Sequence, residues 1–287
     1  MKKLILKYHF FVLGCVSFVL NSCNTKFRVW VGTNHDQKIY NLKYGEHKRQ
    51  KMDVFLPSDY PEDSPVVLIV HGGAWKYGRK EHMIQIQKML FRNNVPSINM
   101  NYRLVSKTVT YRQQLEDIGL AIQKFNALAH KAELRPDNYI LLGESAGGHL
   151  ALLYGYRHPE QIKKIISLSG PTDFYSPEYL HSFYSKYSSP TIQKVVGTKF
   201  HRQNLSDEFR QASPIANVAD VPTLLFQGNQ DVLVSQKQAK ALDSVLSARH
   251  IPHKLIFMKN TGHAPRFFSK TKRDSIIYPN ILEWIKS

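Results

Sequence analysis

The sequence predicts an α/β protein: a mostly parallel, doubly wound sheet with an antiparallel start and a lid insertion. Three observations carry this. Short apolar runs alternate with segments of helical periodicity over most of the 287 residues, the pattern of a parallel sheet covered on both faces. The first two extended segments follow one another with no helix between them, so they pair antiparallel. The residues able to do chemistry fall just after apolar runs, where open α/β sheets bind their ligands.

The elements follow in order. Residues 39–44 and 51–56 read as the antiparallel pair, and "QKMDVFLP" alternates like an edge strand that stops at Pro57. The run 65–70, "PVVLIV", is apolar throughout, as a strand buried on both faces must be. A helix over 81–93 and a strand over 95–102 come next. Residues 111–131 form the clearest helix: Leu115, Ile118, Ile122, Phe125 and Leu128 recur at helical spacing, and Pro136 blocks continuation. A strand at 139–142, a helix at 147–156 and a strand at 162–168 follow. Residues 174–212 are rich in Tyr, Ser, Phe and Lys without a strong period. That stretch is too long for a plain loop in a compact domain, and it reads as an inserted lid. Strands at 221–227 and 254–258 and helices at 235–249 and 276–285 complete the chain.

Residues 1–22 stand apart as a signal. Lys2, Lys3 and Lys7 precede a short apolar core, Phe10 to Leu20, too short to span a bilayer comfortably. "LNSC" follows and resembles the lipobox of bacterial lipoproteins, with Cys23 as the lipidated residue. Ordinary cleavage and an uncleaved anchor are the alternatives. Residues 23–38 then form a tether, and 39–287 the folded domain. The two cysteines are Cys15, inside the signal, and Cys23. The body therefore has no disulfide, no thiol nucleophile and no thiolate metal site. These features place the chain as an exported lipoprotein of a bacterial cell-envelope membrane, held there by its lipid.

Net charge is +17; loss of the three signal lysines leaves +14. Lys and Arg are scattered, with short runs only at "KRQK" and "KTKR", so most of this charge is solvated surface, with attraction to an anionic membrane or glycan the minor reading. No nucleic-acid motif, phosphate loop, dinucleotide fingerprint or metal-spaced histidine pair is present, so no metal or cofactor is called for. Oligomeric state is open.

The stretch "YILLGESAGGHLALL" carries the central question. Gly143-Glu144-Ser145-Ala146-Gly147 fits G-x-S-x-G between a strand and a helix, where a sharp strained turn lifts the serine hydroxyl above the sheet. The bland reading is a tight connection only. Three further placements weigh against it: His71-Gly72-Gly73 after the 65–70 run, Asp231 after "TLLFQGNQ" and His263 after "KLIFMKNTG". The order Ser145, Asp231, His263 is that of one class of serine hydrolase, and not that of trypsin-like or subtilisin-like enzymes.

On "VLIVHGGAWKYG", "NMNYRL", "QLEDIGLAI", "DNYILLGESAGGHLAL", "TLLFQGNQDVLV" and "TGHAP", the chain resembles α/β-hydrolases of the esterase and lipase branch over residues 39–287. It is similar to the hormone-sensitive-lipase-like, BD-FAE-like and kynurenine-formamidase-like groups. The resemblance implies the α/β-hydrolase fold and a serine carboxylic-ester hydrolase acting on small acyl esters or acylated glycans. Ser145 is then nucleophile, His263 base and acid, and Asp231 its orienting partner. The N–H groups of Gly73, Ala74 and Ala146 face the developing oxyanion. Lipases read His-Gly-Gly-Gly where this chain has Ala74 and Trp75, a departure shared with the other two groups that speaks against bulky tertiary-alcohol esters. His71 and Gly72 support that loop. Asp173, in "SGPTDF", is the reserve acid; otherwise Asp231 caps a helix. Glu144 contacts neighbouring backbone or an arginine, Trp75 packs, and Tyr102-Arg103 is structural. The alternatives are a prolyl-oligopeptidase-like peptidase, a formamidase-like amidase, and a non-catalytic binding protein.

Overall fold

A computed structural model describes residues 36–60, 64–131 and 138–287. The signal, Cys23, Pro136 and nearly all of the expected tether lie outside these residues. The chain builds strands β1 (Gln37–Lys43), β2 (Lys51–Leu56) and β3 (Val66–Val70), a 3-10 turn (Lys80–Met83), helix α1 (Ile84–Arg92) and β4 (Ser97–Met100). Next come α2 (Tyr111–Lys131), β5 (Tyr139–Glu144), α3 (Ala146–Arg157) and β6 (Ile162–Leu168). Three helices, α4 (Pro177–Leu180), α5 (Phe183–Val196) and α6 (Asp207–Gln211), occupy the stretch expected as a lid. Strand β7 (Thr223–Gly228), α7 (Gln236–Ala248), β8 (His253–Met258), the short α8 (Pro265–Phe268) and α9 (Lys270–Lys272), a π-helical turn (Arg273–Ile277) and α10 (Tyr278–Lys286) close the chain.

The eight strands form one sheet in the order β1-β2-β4-β3-β5-β6-β7-β8. The two contacts made by β2 are antiparallel, and every pairing from β4 through to β8 is parallel. This is the α/β-hydrolase architecture. Two readings need correction. Strand β2 is not an edge strand: β1 covers one side of it and β4 the other, and the polar half of its alternation is met inside the protein. Asp53 is buried on a 2.7 Å ion pair with the buried Lys80. Strand β1 begins at Gln37, within the expected tether, because Gln37 and Lys38 already pair with Leu56 and Phe55.

Successive residues of a strand point to opposite faces, and β3 shows why its run is apolar throughout. Val66, Leu68 and Val70 enter the core beneath α2, α3 and α7, while Val67 and Ile69 enter a second core beneath α1 and α10. Residues of β3 and β5 stand in register, with Val70 opposite Gly143, and Gly228 of β7 stands opposite Met258 of β8. The strand ends therefore align, and the loops after β3, β5, β7 and β8 emerge along one edge.

Candidate active site

Ser145 occupies the single residue between β5 and α3, at φ 54° and ψ −121°. A left-handed backbone is unfavourable for a residue with a Cβ, by about 1–3 kcal/mol, and persists only where the surroundings force it. Here they do. The Ser145 N–H donates to Leu168 O at 2.8 Å, fixing the turn to the end of β6. At Gly147, a Cβ would stand 2.1 Å from Val70 O, so only glycine lets α3 start this close to β3.

From this turn the hydroxyl meets two other loops. Ser145 Oγ lies 2.8 Å from His263 Nε2, and His263 Nδ1 lies 2.8 Å from Asp231 Oδ2. The Asp231 side chain is fully buried. Its Oδ1 accepts the N–H groups of Leu233 and Val234, both at 2.9 Å, and Gln227 donates to Oδ2 at 3.0 Å. Donors on both oxygens fix the carboxylate in one orientation, which aims the Nδ1–H of His263 and leaves Nε2 as acceptor for the serine hydroxyl. Asp173 takes no part: its Oδ1 closes a turn by accepting from Tyr175 and Ser176.

The loop after β3 packs against the same turn. A methyl group on Gly72 would stand 3.2 Å from Ser145 Cβ. Gly73, Ala74 and Trp75 follow at φ 127°, 48° and 61°. Among the described residues, no backbone–backbone bond outside regular elements uses the N–H of Gly73 or Ala74. Ala146 is the first residue of α3, where an N–H has no partner within the helix. These three N–H groups lie on the two segments that meet at the Ser145 turn.

The loop is braced from behind. His71 is buried, stacks on Tyr102 with centroids 4.3 Å apart, and receives Arg49 Nη2 at its Nε2. The guanidinium can only donate, so the His71 Nδ1–H donates to Gly72 O at 2.7 Å. Desolvation by burial drives the His71 pKa down to about 3, which keeps this arrangement neutral. Tyr102 donates to His71 O, and Arg49 also donates to Gly78 O and Tyr102 O. Trp75 packs, as expected, and donates through Nε1 to His149 Nδ1. Arg103 is tied to the buried Asp117. Glu144 meets an arginine, and both its oxygens accept from Arg266 at 2.9 and 3.0 Å in a buried pair.

Ser145 and His263 open into a cavity of about 510 Å³, walled by Ala74, Trp75, Phe174 and Tyr179 and covered by one face of α5. That face, Tyr184, Ser188, Thr191 and Ile192, has helical spacing. Tyr184 also donates to Asp231 O, joining α5 to the loop after β7. Arg49 lies in the run "KRQK", expected as solvated surface, and is instead partly buried with its guanidinium on His71, Gly78 and Tyr102; Gln227, Tyr184 and Arg266 do not stand out in the sequence. Only Arg266 left a signal there, as a cation three residues after His263 that could match the unpaired acid in G-E-S-A-G.

Fold and site together define an α/β-hydrolase with a serine, histidine and aspartate at the carboxyl edge of its sheet. The chain belongs to the BD-FAE family, whose model matches residues 52–246. It is 25% identical over 256 residues to isoprenylcysteine alpha-carbonyl methylesterase ICME of Arabidopsis thaliana, covering 81% of this chain and 58% of that protein. It is 28% identical over 146 residues to kynurenine formamidase of Salmo salar, covering 48% of this chain and 47% of that one. The chain thus spans under two thirds of the length of these relatives. Among solved structures, a truncated carbohydrate esterase from gut microbiota superposes with a TM-score of 0.70 at 18% identity, covering 86% of this chain and 96% of that one. Esterase B of Lactobacillus rhamnosis does so with a TM-score of 0.68 at 19% identity, covering 88% and 85%.

Proposed function

We propose that the protein is a serine carboxylic-ester hydrolase acting on small acyl esters or acylated glycans. The observation that carries this reading is the hydrogen-bonded chain from Ser145 through His263 to Asp231, with both links at 2.8 Å. In this mechanism His263 Nε2 removes the Ser145 proton as Oγ attacks the ester carbonyl carbon. The carbonyl oxygen becomes an anion facing the N–H groups of Gly73, Ala74 and Ala146. When the tetrahedral intermediate collapses, the protonated His263 gives its proton to the departing alcohol. Water, deprotonated by the same nitrogen, then releases the acyl group from Ser145. Asp231 holds the ring and stabilises the imidazolium. Family membership and the esterase activity named for the relatives support ester chemistry, and the formamidase likeness keeps an amide as second substrate class. We further propose export and lipid attachment at Cys23, on the strength of "LNSC".

The test compares p-nitrophenyl acetate, butyrate and octanoate, with acetanilide as the amide, for the purified protein and Ser145→Ala. The expected result is ester hydrolysis that is fastest on acetate and falls about 10⁴-fold or more in the variant. Equal hydrolysis by both proteins refutes the reading. Hydrolysis of acetanilide alone moves it to an amidase.

A further inference from the structure

The rim of the cavity carries a second property, independent of the chemistry at Ser145. Among the described residues ten large hydrophobic side chains are exposed. Tyr40, Leu120 and Phe257 stand on separate elements. The other seven lie on four segments that all border the cavity mouth. Tyr77, Leu233 and Phe267 line the mouth themselves. Phe183 and Tyr187 pack on each other with centroids 4.5 Å apart, beside the lining residues Tyr184 and Ser188. Val232, 77% exposed, and Phe268, 89% exposed, adjoin Leu233 and Phe267.

Charge on these segments departs from the rest of the chain. The whole sequence has 39 basic and 22 acidic residues. The rim segments 75–80, 181–191, 232–238 and 264–273 contain no Asp or Glu; the acids adjoining them, Glu81, Asp231 and Asp274, are paired with Lys80, His263 and Arg273, while Arg79, Lys186, Lys237 and Lys270 are exposed. Exposed aromatic and aliphatic side chains interleaved with cations match a bilayer with anionic headgroups, where rings sit at the headgroup boundary and lysines meet lipid phosphates. A polyanionic glycan would satisfy the cations and leave Phe268 and Val232 in water.

We propose that this rim is a membrane-docking surface for anionic lipid bilayers, which sets the cavity mouth against the headgroup layer. The test uses the full chain carrying Phe268→Trp, mixed with vesicles of phosphatidylcholine alone or of phosphatidylcholine and phosphatidylglycerol, some containing brominated acyl chains. The introduced indole reports from the rim, whatever the N-terminal residues do. The expected result is a blue shift and bromine quenching with the anionic vesicles, weakened by salt, relative to the unsubstituted protein. In sedimentation, Phe183→Ser with Val232→Ser is expected to weaken partition about tenfold or more. Lys186→Ala with Lys270→Ala is expected to weaken it severalfold on anionic vesicles only. Soluble p-nitrophenyl acetate hydrolysis stays unchanged in these variants, whereas Ser145→Ala loses hydrolysis and keeps docking, so the two readings fail separately. Absence of any vesicle-induced change in the emission of the introduced indole overturns the proposal. A concentration-dependent dimer abolished by Phe183→Ser with Val232→Ser, with no change in vesicle partition, overturns it in favour of a second copy of the chain.

Discussion

At the residue scale, Asp231 illustrates how a side chain is made to serve one orientation. Three donors besides His263 surround its carboxylate. Asn in its place would keep the shape but present an NH₂ group where an acceptor is needed, favouring the wrong tautomer of His263. Asp231→Asn is expected to lower kcat on p-nitrophenyl acetate by about 10⁴-fold while leaving KM within a few fold. Gly147 is equally constrained, for steric reasons. Gly147→Ala places a methyl carbon against Val70 O and His71 O, and the turn must shift. Activity is expected to drop by at least about 10²-fold, because an ångström of displacement at a reacting group costs that much; melting temperature measured in parallel separates this from unfolding. These residues were legible because their constraints are local. A strand, a turn and a glycine four residues on are all written within "YILLGESAGG". Gln227 was not, since only the folded loop after β7 shows that its amide points at Asp231.

At the element scale, the buried pair between Glu144 and Arg266 links α8 to the end of β5. Arg266→Met leaves a carboxylate buried without its partner, and its unfolding free energy in urea is expected to fall by about 3–5 kcal/mol. Adding Glu144→Gln removes the orphaned charge and is expected to restore part of that loss. A pair contributing nothing beyond its separate members would instead show additive effects. Helix α5 marks the limit of sequence reading at this scale. The face it turns to the cavity carries Tyr184, Ser188 and Thr191 beside Ile192. Hydroxyls on the inward face and Phe183 and Tyr187 left in solvent blur the usual apolar stripe, so the helical period was hidden. The edge assignment of β2 failed for a related reason: the burial of Asp53 depends on Lys80, distant in sequence.

At the scale of the whole molecule, two buried histidines tie stability to pH. His71 has its pKa lowered to about 3 and His149 to about 4, each chiefly by desolvation. Trp75 donates to one nitrogen of His149, and the other donates to Ala212 O; both contacts suit a neutral ring. In the unfolded chain these rings take up protons near pH 6.5. Between that value and about 4 the unfolded state binds more protons, so stability rises with pH and is lost as pH falls. Urea midpoints are expected to drop steadily from pH 7 to pH 5. His149→Gln, which keeps an acceptor for Trp75 and a donor for Ala212, is expected to flatten the dependence by about 1.4 kcal/mol per pH unit. An unchanged slope would place the acid sensitivity elsewhere. The sheet itself was readable from alternating strands and helices, because each run carries its own period. These two couplings were not, since each joins residues from separate elements.

Ser145 and His263 are 118 residues apart in the chain, and His263 follows the last strand, β8. During synthesis the serine, its turn and the loop after β3 are made long before His263, the base of the proposed mechanism. A hydroxyl without its base is a poor nucleophile. On the proposed mechanism, a chain in which β8 has not yet brought His263 to Ser145 is therefore expected to be unreactive. Labelling by a fluorophosphonate during refolding would then report when His263 reaches Ser145, and a chain ending before β8 is expected to stay unlabelled.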